Sequence, residues 1–146
     1  MGEVAAVVVA VWLIALSAFD FRVRRLPNWL TLPGAAAILT AAAICGHGSA
    51  AVLGAAALFG LYAAVHLVVP RAMGAGDVKL AAGLGALTGA FGLDVWLLAA
   101  LGAPVLTVAV GGCSLVRGTG SVVPHGPSMC ASTAAVIYLH TAGMYF

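Results

Sequence analysis

Long apolar stretches with very little charge between them constrain this chain more than any single motif. Of its 146 residues, 64% are hydrophobic and 7% are charged, whereas soluble domains have about 25% charged residues. Six basic and four acidic side chains are too few to cover the surface of a soluble protein of this size. Because backbone polar groups inside a bilayer must be satisfied within helices, the composition predicts an all-α, polytopic membrane protein.

The same composition argues against three other classes of protein. Disordered chains combine low hydrophobicity with high net charge, and this chain is apolar with a net charge of +2. Three cysteines, an odd number without a C-x-x-C pair, do not suggest a disulfide scaffold. Six basic residues against four acidic ones do not form the basic face that nucleic-acid binding requires, so we expect no nucleic-acid partner.

The apolar stretches have the lengths of membrane spans. A spanning helix needs about 20 apolar residues, and this length divides the chain into predicted spans at residues 4–19, 29–45, 50–69, 78–91, 95–116 and 127–146. The boundary at Gly92-Leu93-Asp94 leaves an alternative, in which the fourth and fifth segments form one bent span. No separate soluble domain or long linker is visible, so we expect one membrane-embedded domain over residues 1–146.

The distribution of charge predicts the orientation of these spans. Positive residues in short loops tend to remain on the cytoplasmic side. With six spans, both termini lie outside, and all basic residues share the cytoplasmic face, while Glu3 and Asp94 lie on the outer face. Merging spans four and five would move Arg117 to the outer face, so the charges favour six spans. Glu3 before the first span and arginines after it reverse the pattern of a secretory signal, so we expect a retained anchor. The basic residues, of which the first three are expected to contact anionic lipid, are Arg22, Arg24, Arg25, Arg71, Lys79 and Arg117.

Two aspartates stand at matching depth on the predicted cytoplasmic side. Asp20 follows the first span and Asp77 precedes the fourth, and ionisable residues at membrane segments are candidates for function. The alternative is that both are water-exposed charges at helix ends, with Asp77 a simple N-cap. If the two carboxyl groups lie together, they cannot both ionise cheaply, and the pair offers a general acid and a general base. Such a pair can activate water against an amide bond.

The residues around Asp77 favour such an encounter. Two nearby glycines, Gly74 and Gly76, permit backbone conformations and close approaches that other residues resist. A stripe of small side chains follows on one face of the predicted helix, at Ala81, Gly85 and Gly89. We expect this stripe to admit the first helix and so to bring Asp20 to Asp77.

Three short motifs resemble those of the type IV prepilin peptidases. In the first, six residues separate Asp20 from Pro27-Asn28. The second is GAGDVK at residues 74–79, a G-x-G-D followed by lysine two positions later. The third is PHGP at residues 124–127, similar to the P-x-G-P element of that family. The motifs occur in the family's order and extend over nearly the whole chain.

The resemblance implies an aspartic endopeptidase of the bacterial inner membrane. Its members cut the basic leader peptide from prepilins or pseudopilins at the cytoplasmic face, without a metal, a cofactor or a covalent intermediate. By this resemblance Asp20 and Asp77 form the catalytic pair. The residues expected to shape the site are Gly74, Gly76, Lys79, Pro27, Asn28, Pro124, Gly126 and Pro127.

One departure from the larger members affects the expected activity. Those members carry an N-terminal zinc-binding cysteine cluster and also methylate the new N-terminus, whereas here the first span begins at once. The cysteines, Cys45, Cys113 and Cys130, are scattered through apolar segments. We therefore expect no zinc and no methyltransferase activity, as in the small peptidases that serve Tad/Flp-type pili.

Other functions remain open from the residues alone. A small proton- or cation-coupled transporter would use an acid near the bilayer midplane, and no acid of this chain lies there. A structural membrane subunit would make the G-x-G-D sequence a coincidence. Presenilin-like G-x-G-D proteases cleave inside the membrane but have a different first motif. His66 and His125 lie near the motifs and are assigned no role from the sequence.

Overall fold

Six α-helices make up the regular structure of the described residues. The computed structural model describes residues 2–71, 73–118 and 123–143, and no strand occurs among them. The helices are α1 (Glu3–Val23), α2 (Asn28–Ile44), α3 (Gly48–Val68), α4 (Ala75–Phe91), α5 (Leu93–Val116) and α6 (His125–Thr141). The predicted all-α class is confirmed, and α1, α3 and α5 are long and apolar enough to cross a membrane.

The predicted boundary at Gly92-Leu93-Asp94 separates two distinct helices. Between α4 and α5, Gly92 has φ 126° and ψ 169°, a conformation that is essentially restricted to glycine. The helical hydrogen-bond pattern of α4 therefore stops here, and α5 begins at the next residue. The fourth and fifth apolar segments are separate helices rather than one bent helix.

Helix α4 lies at the centre of the bundle. It packs against α2, α3, α5 and α6, and its residues from Asp77 to Gly89 are all buried except Lys79 and Ala82. The surrounding helices instead expose large apolar side chains, including Ile14, Leu53 and Val105. Exposed apolar faces of this extent suit contact with lipid and would be a liability in water.

The stripe of small residues on α4 faces α3, so the expected pairing with the first helix was wrong. A Cβ atom added to Gly85 would collide with the carbonyl oxygen of Gly54, and one added to Gly89 would lie 2.7 Å from that of Ala50. Small residues at matching positions on both helices allow their backbones to approach closely. Helix α1 offers no such match, since it directs Leu13 into the core and packs mainly on α6.

Candidate active site

Asp20 is buried in the last turns of α1, against the first turn of α6. Its side chain is 7% exposed, and its Oδ2 atom accepts a hydrogen bond from the backbone N–H of Gly126, with an N···O distance of 3.2 Å. The first N–H groups of a helix lack partners within the helix and carry a partial positive charge. The start of α6 is therefore a favourable place for the Asp20 carboxylate.

The contact between residue 126 and the Asp20 carboxyl group is so close that only glycine fits at this position. A Cβ atom there would lie 2.6 Å from Oδ2 of Asp20 and 3.1 Å from its Cγ. Any larger side chain would have to displace the carboxyl group or the first turn of α6. The glycine of the P-x-G-P element thus has a steric explanation.

Asp77 is buried in the first turn of α4, where the helix also favours an anion. Its side chain is 9% exposed, and its backbone N–H donates to the carbonyl oxygen of Gly74 at 3.1 Å. The N-cap position belongs to Gly74, so Asp77 is not the N-cap of this helix. The alternative of water-exposed helix-end charges is wrong for both aspartates, because neighbouring helices cover both of them.

The two aspartates lie at the same end of the bundle, Asp20 near the end of α1 and Asp77 in the first turn of α4. Leu26, which follows α1, packs against Gly76 beside Asp77, and Asp20 packs against Gly126 at the start of α6. The Asp20 carboxyl group also receives the backbone hydrogen bond from the motif glycine Gly126. The site therefore combines the end of α1 with the beginnings of α4 and α6.

Neither glycine of the second motif has an unusual backbone conformation, and of the two Gly76 makes the close approach to another segment. Gly74 has φ −74°, and Gly76 lies inside α4 without a positive φ. A Cβ atom on Gly76 would lie 3.3 Å from Cβ of Leu26 and 3.4 Å from its backbone nitrogen. Gly76 thus lets the start of α4 pack against the residue that precedes Pro27-Asn28 of the first motif.

A side-chain hydrogen bond also joins the two aspartate motifs. Lys79 Nζ donates to Asn28 Oδ1 at 2.8 Å. Lys79 is one turn along α4 from Ala75 and Gly76, and Asn28 is the first residue of α2. This bond connects the helix that carries Asp77 to the segment that follows Asp20.

The three prolines of the motifs lie where two helices begin. Pro27 and Pro124 have extended backbones and immediately precede α2 and α6. Pro127 is the third residue of α6, where the missing N–H would have no partner within the helix. These prolines therefore define where the helices start without breaking them, and those starts carry Asn28 and Gly126.

Two histidines without an assigned role make contacts at the site. Nδ1 of His66 lies 2.8 Å from the carbonyl oxygen of Met73; a carbonyl can only accept, so this nitrogen donates and holds the residue before Gly74. His125 contacts Tyr62 and Thr107 through its two ring nitrogens. The positions of the histidines near the motifs were the only signal in the sequence, and nothing there marked Tyr62 or Thr107.

Within residues 2–71, 73–118 and 123–143, no group of three or more histidine, cysteine, aspartate or glutamate side chains could hold a metal ion. The three cysteines do not form a cluster there, since each is free, with Cys130 buried and Cys45 and Cys113 exposed. A reaction without metal or cofactor stays a prediction.

The fold and the site together describe a helical protein with spans suited to a membrane and a buried pair of carboxyl groups. A model of the type IV leader peptidase family matches residues 7–139, which include all three motifs. The chain therefore belongs to the type IV leader peptidase family, and the resemblance drawn from its motifs is confirmed. Comparisons with curated proteins and with solved structures gave no match. Family membership implies a peptidase with substrates of the prepilin type.

Proposed function

We propose that this protein is an aspartic endopeptidase that removes the basic leader from type IV or Flp prepilins, or from pseudopilins, at the cytoplasmic face of the bacterial inner membrane. The observation that carries the proposal is the burial of both Asp20 and Asp77 at the same end of the bundle, with the Gly126 N–H donating to Asp20. Membership of the leader peptidase family supplies the class of reaction. The pair supplies the groups that can perform it.

The proposed chemistry needs one proton shared between the two carboxyl groups. Two carboxylates in mutual reach favour a state in which one is ionised and the other protonated. The ionised group removes a proton from water as its oxygen attacks the carbonyl carbon of the scissile peptide bond, and the protonated group donates its proton to the carbonyl oxygen. Collapse of the tetrahedral intermediate breaks the C–N bond: the carboxyl group that took the proton from water gives it to the leaving nitrogen, and the other carboxylate takes a proton from a hydroxyl group of the intermediate as the carbonyl re-forms.

The donors around the pair have a defined part in this scheme. The N–H group of Gly126 orients the Asp20 carboxyl group and stabilises negative charge on it, and the first turn of α4 favours negative charge on Asp77. No metal, cofactor or covalent intermediate takes part, and we propose no methyltransferase activity. The residues that shape the site are those of the three motifs, including Lys79 and Asn28, which connect two of them.

We further propose that all six helices span the membrane, with both termini on the outer side. Helices α2, α4 and α6 have 17 residues each, about the shortest length that spans a bilayer. Contacts of Asp20 with Gly126 and of Lys79 with Asn28 join the end of α1 to the beginnings of α2, α4 and α6, as alternating spans require. All basic residues lie at or near this end in the sequence, which makes it cytoplasmic by the positive-inside rule.

The direct test is leader removal in cells that co-express a candidate prepilin. Wild-type protein should shift the prepilin to the smaller mature size, whereas Asp20→Asn and Asp77→Asn, at equal membrane levels, should leave it unprocessed. Processing by either folded variant would disprove the proposed pair. A transporter that uses the same two acids would process the prepilin in none of the versions, including the wild type.

A further inference from the structure

The imidazole of His125 joins three helices directly beside the candidate active site. Its Nδ1 atom lies 2.7 Å from Oγ1 of Thr107 on α5, and its Nε2 atom lies 3.1 Å from the hydroxyl of Tyr62 on α3. His125 is the first residue of α6, and the next residue, Gly126, donates its N–H to Asp20. The side chain is therefore anchored one residue away from the backbone group that contacts the carboxylate.

The direction of each hydrogen bond follows from the number of hydrogens available. Oγ1 of Thr107 lies 3.0 Å from the carbonyl oxygen of Ala103, which can only accept, so the single hydroxyl hydrogen of Thr107 points there. The hydroxyl oxygen must then accept from His125, whose Nδ1 carries the hydrogen. A neutral imidazole has one N–H, so Nε2 accepts from the Tyr62 hydroxyl. One tautomer of His125 thus satisfies every group in this set.

The network is partly buried. Tyr62 is 5% exposed, His125 and Thr107 are half-buried, and the ring centroid of Tyr62 is 5.7 Å from that of His125. Fully satisfied polar networks in a low-dielectric interior are rigid. Both ring nitrogens of His125 already have hydroxyl partners, which makes this side chain an anchor and not a proton donor to the substrate.

We propose that Thr107, His125 and Tyr62 form a positioning network that holds the Gly126 N–H against the Asp20 carboxylate during cleavage. This inference rests on the proposed function, because Asp20 is catalytic only under that proposal. The N···O distance of 3.2 Å at Gly126 is at the long end of the range for such bonds. A small shift of the first turn of α6 would therefore break this contact. His125, which occupies the variable position of P-x-G-P, prevents such a shift in this chain.

The test measures kcat, KM and the thermal unfolding temperature of the purified full-length protein in detergent, with a prepilin as substrate. Tyr62→Phe and Thr107→Val each remove one hydroxyl group and little volume. We expect kcat to fall roughly 10- to 100-fold, the size of effect that a misplaced catalytic group produces. KM should stay unchanged, since none of the three side chains is proposed to bind substrate.

Matched controls separate positioning from general stability. The hydroxyl of Thr40 donates to the carbonyl oxygen of Ala36 at 2.8 Å, the same local bond that Thr107 makes, and Tyr138 is an exposed tyrosine on α6. Thr40→Val and Tyr138→Phe should therefore keep wild-type kcat. Thr107→Ser retains the hydroxyl and should recover most of the activity that Thr107→Val loses.

Substitutions of the histidine test the two bonds separately. An asparagine in His125→Asn keeps a donor near the position of Nδ1, and a glutamine in His125→Gln keeps an acceptor near that of Nε2. Each should retain more activity than His125→Ala, and Tyr62→Phe should cause no further loss in the His125→Ala background. Such non-additivity is expected of residues that act through one another.

The outcomes distinguish this inference from the proposed function. Wild-type kcat in both Tyr62→Phe and Thr107→Val, with Asp20→Asn and Asp77→Asn inactive, would disprove the network and leave the aspartate pair intact. A lower unfolding temperature with unchanged kcat would reduce the network to a structural role and equally disprove it. Cleavage by the two aspartate variants would instead disprove the proposed function itself.

Discussion

The first turns of α4 and α5 look alike in sequence and differ in their surroundings. Asp77 is the third residue of α4 and Asp94 the second residue of α5, each shortly after a glycine and each followed by a valine. Both acids lie where the helix favours a negative charge. Asp77 is buried, whereas Asp94 is exposed. Asp94 lies next to the end of α4, and Asp77 lies at the beginning of that helix.

The difference comes from the neighbouring helices and not from the turn itself. The start of α4 lies where Leu26 packs against Gly76 and where Lys79 donates to Asn28. The Asp94 carboxyl group instead lies over its own turn, where a Cβ atom on Gly92 would be 2.8 Å from its Oδ1. An aspartate at a helix start becomes a candidate catalyst when other helices bury it beside a second carboxyl group.

The largest expected effect comes from removing the charge at each turn. Asp77→Asn should lower the rate of leader removal by about 10²- to 10⁴-fold, the usual contribution of a general acid or base. Asp94→Asn should leave the rate unchanged, because this acid has no part in the proposed chemistry. Initial rates at equal amounts of folded protein measure both, and an equal loss in the two variants would contradict the comparison.

The next effect comes from adding one methyl group beside an aspartate at each end of the bundle. Gly126→Ala would press a Cβ atom against Asp20, and we expect a loss of activity of roughly 10- to 100-fold. Gly92→Ala would force a glycine-only conformation at a cost of about 1–3 kcal/mol in stability, with little effect on cleavage per folded molecule. Measuring the cleavage rate per folded molecule and the thermal unfolding temperature of both variants separates the two results. If Gly126→Ala lowers the unfolding temperature but keeps the wild-type rate, the proposed role of Gly126 at the active site is contradicted.

The pH dependence of the cleavage rate should be set by the aspartate pair that includes Asp77, and not by Asp94. At low pH both carboxyl groups are protonated and the base is lost; at high pH both are ionised and the acid is lost. The rate should therefore pass through a maximum and fall by about tenfold per pH unit on each side. Asp94→Asn should keep the wild-type profile, and a rate that is independent of pH would contradict a shared proton.

The smallest effect concerns the side chain two residues after each aspartate. Lys79 ties the start of α4 to Asn28, and Trp96 ties the start of α5 to the carbonyl oxygen of Gly54 through Nε1 at 3.0 Å. Lys79→Met should slow cleavage by a factor of about 2 to 10, the value of one partly exposed hydrogen bond. Trp96→Phe should lower the unfolding temperature and leave the rate unchanged.

A double-variant cycle provides the control for Lys79. If the bond to Asn28 is the cause, Lys79→Met combined with Asn28→Ala should be no slower than the slower single variant. Additive losses would show that the two residues act separately.

Much of the fold could be predicted because it depends on local properties. The apolar segments matched the six helices, and Gly92 marked the break between α4 and α5. The partner of the α4 stripe was predicted wrongly, since helix pairing depends on a matching small residue elsewhere, here Gly54 on α3. The bond between Tyr62 and His125 joins residues 63 positions apart, and no local pattern indicates such a contact.

The sequence by itself determined the helical, membrane-type fold, the family and the identity of the two candidate aspartates, because these follow from composition, apolar length and short motifs. Only the tertiary structure decided that Asp77 is buried and Asp94 exposed, that Gly126 contacts Asp20, and that His125 connects three helices. The physical reason is that burial and hydrogen bonding depend on which distant helices pack together. In this protein that packing follows from where small residues let two backbones meet.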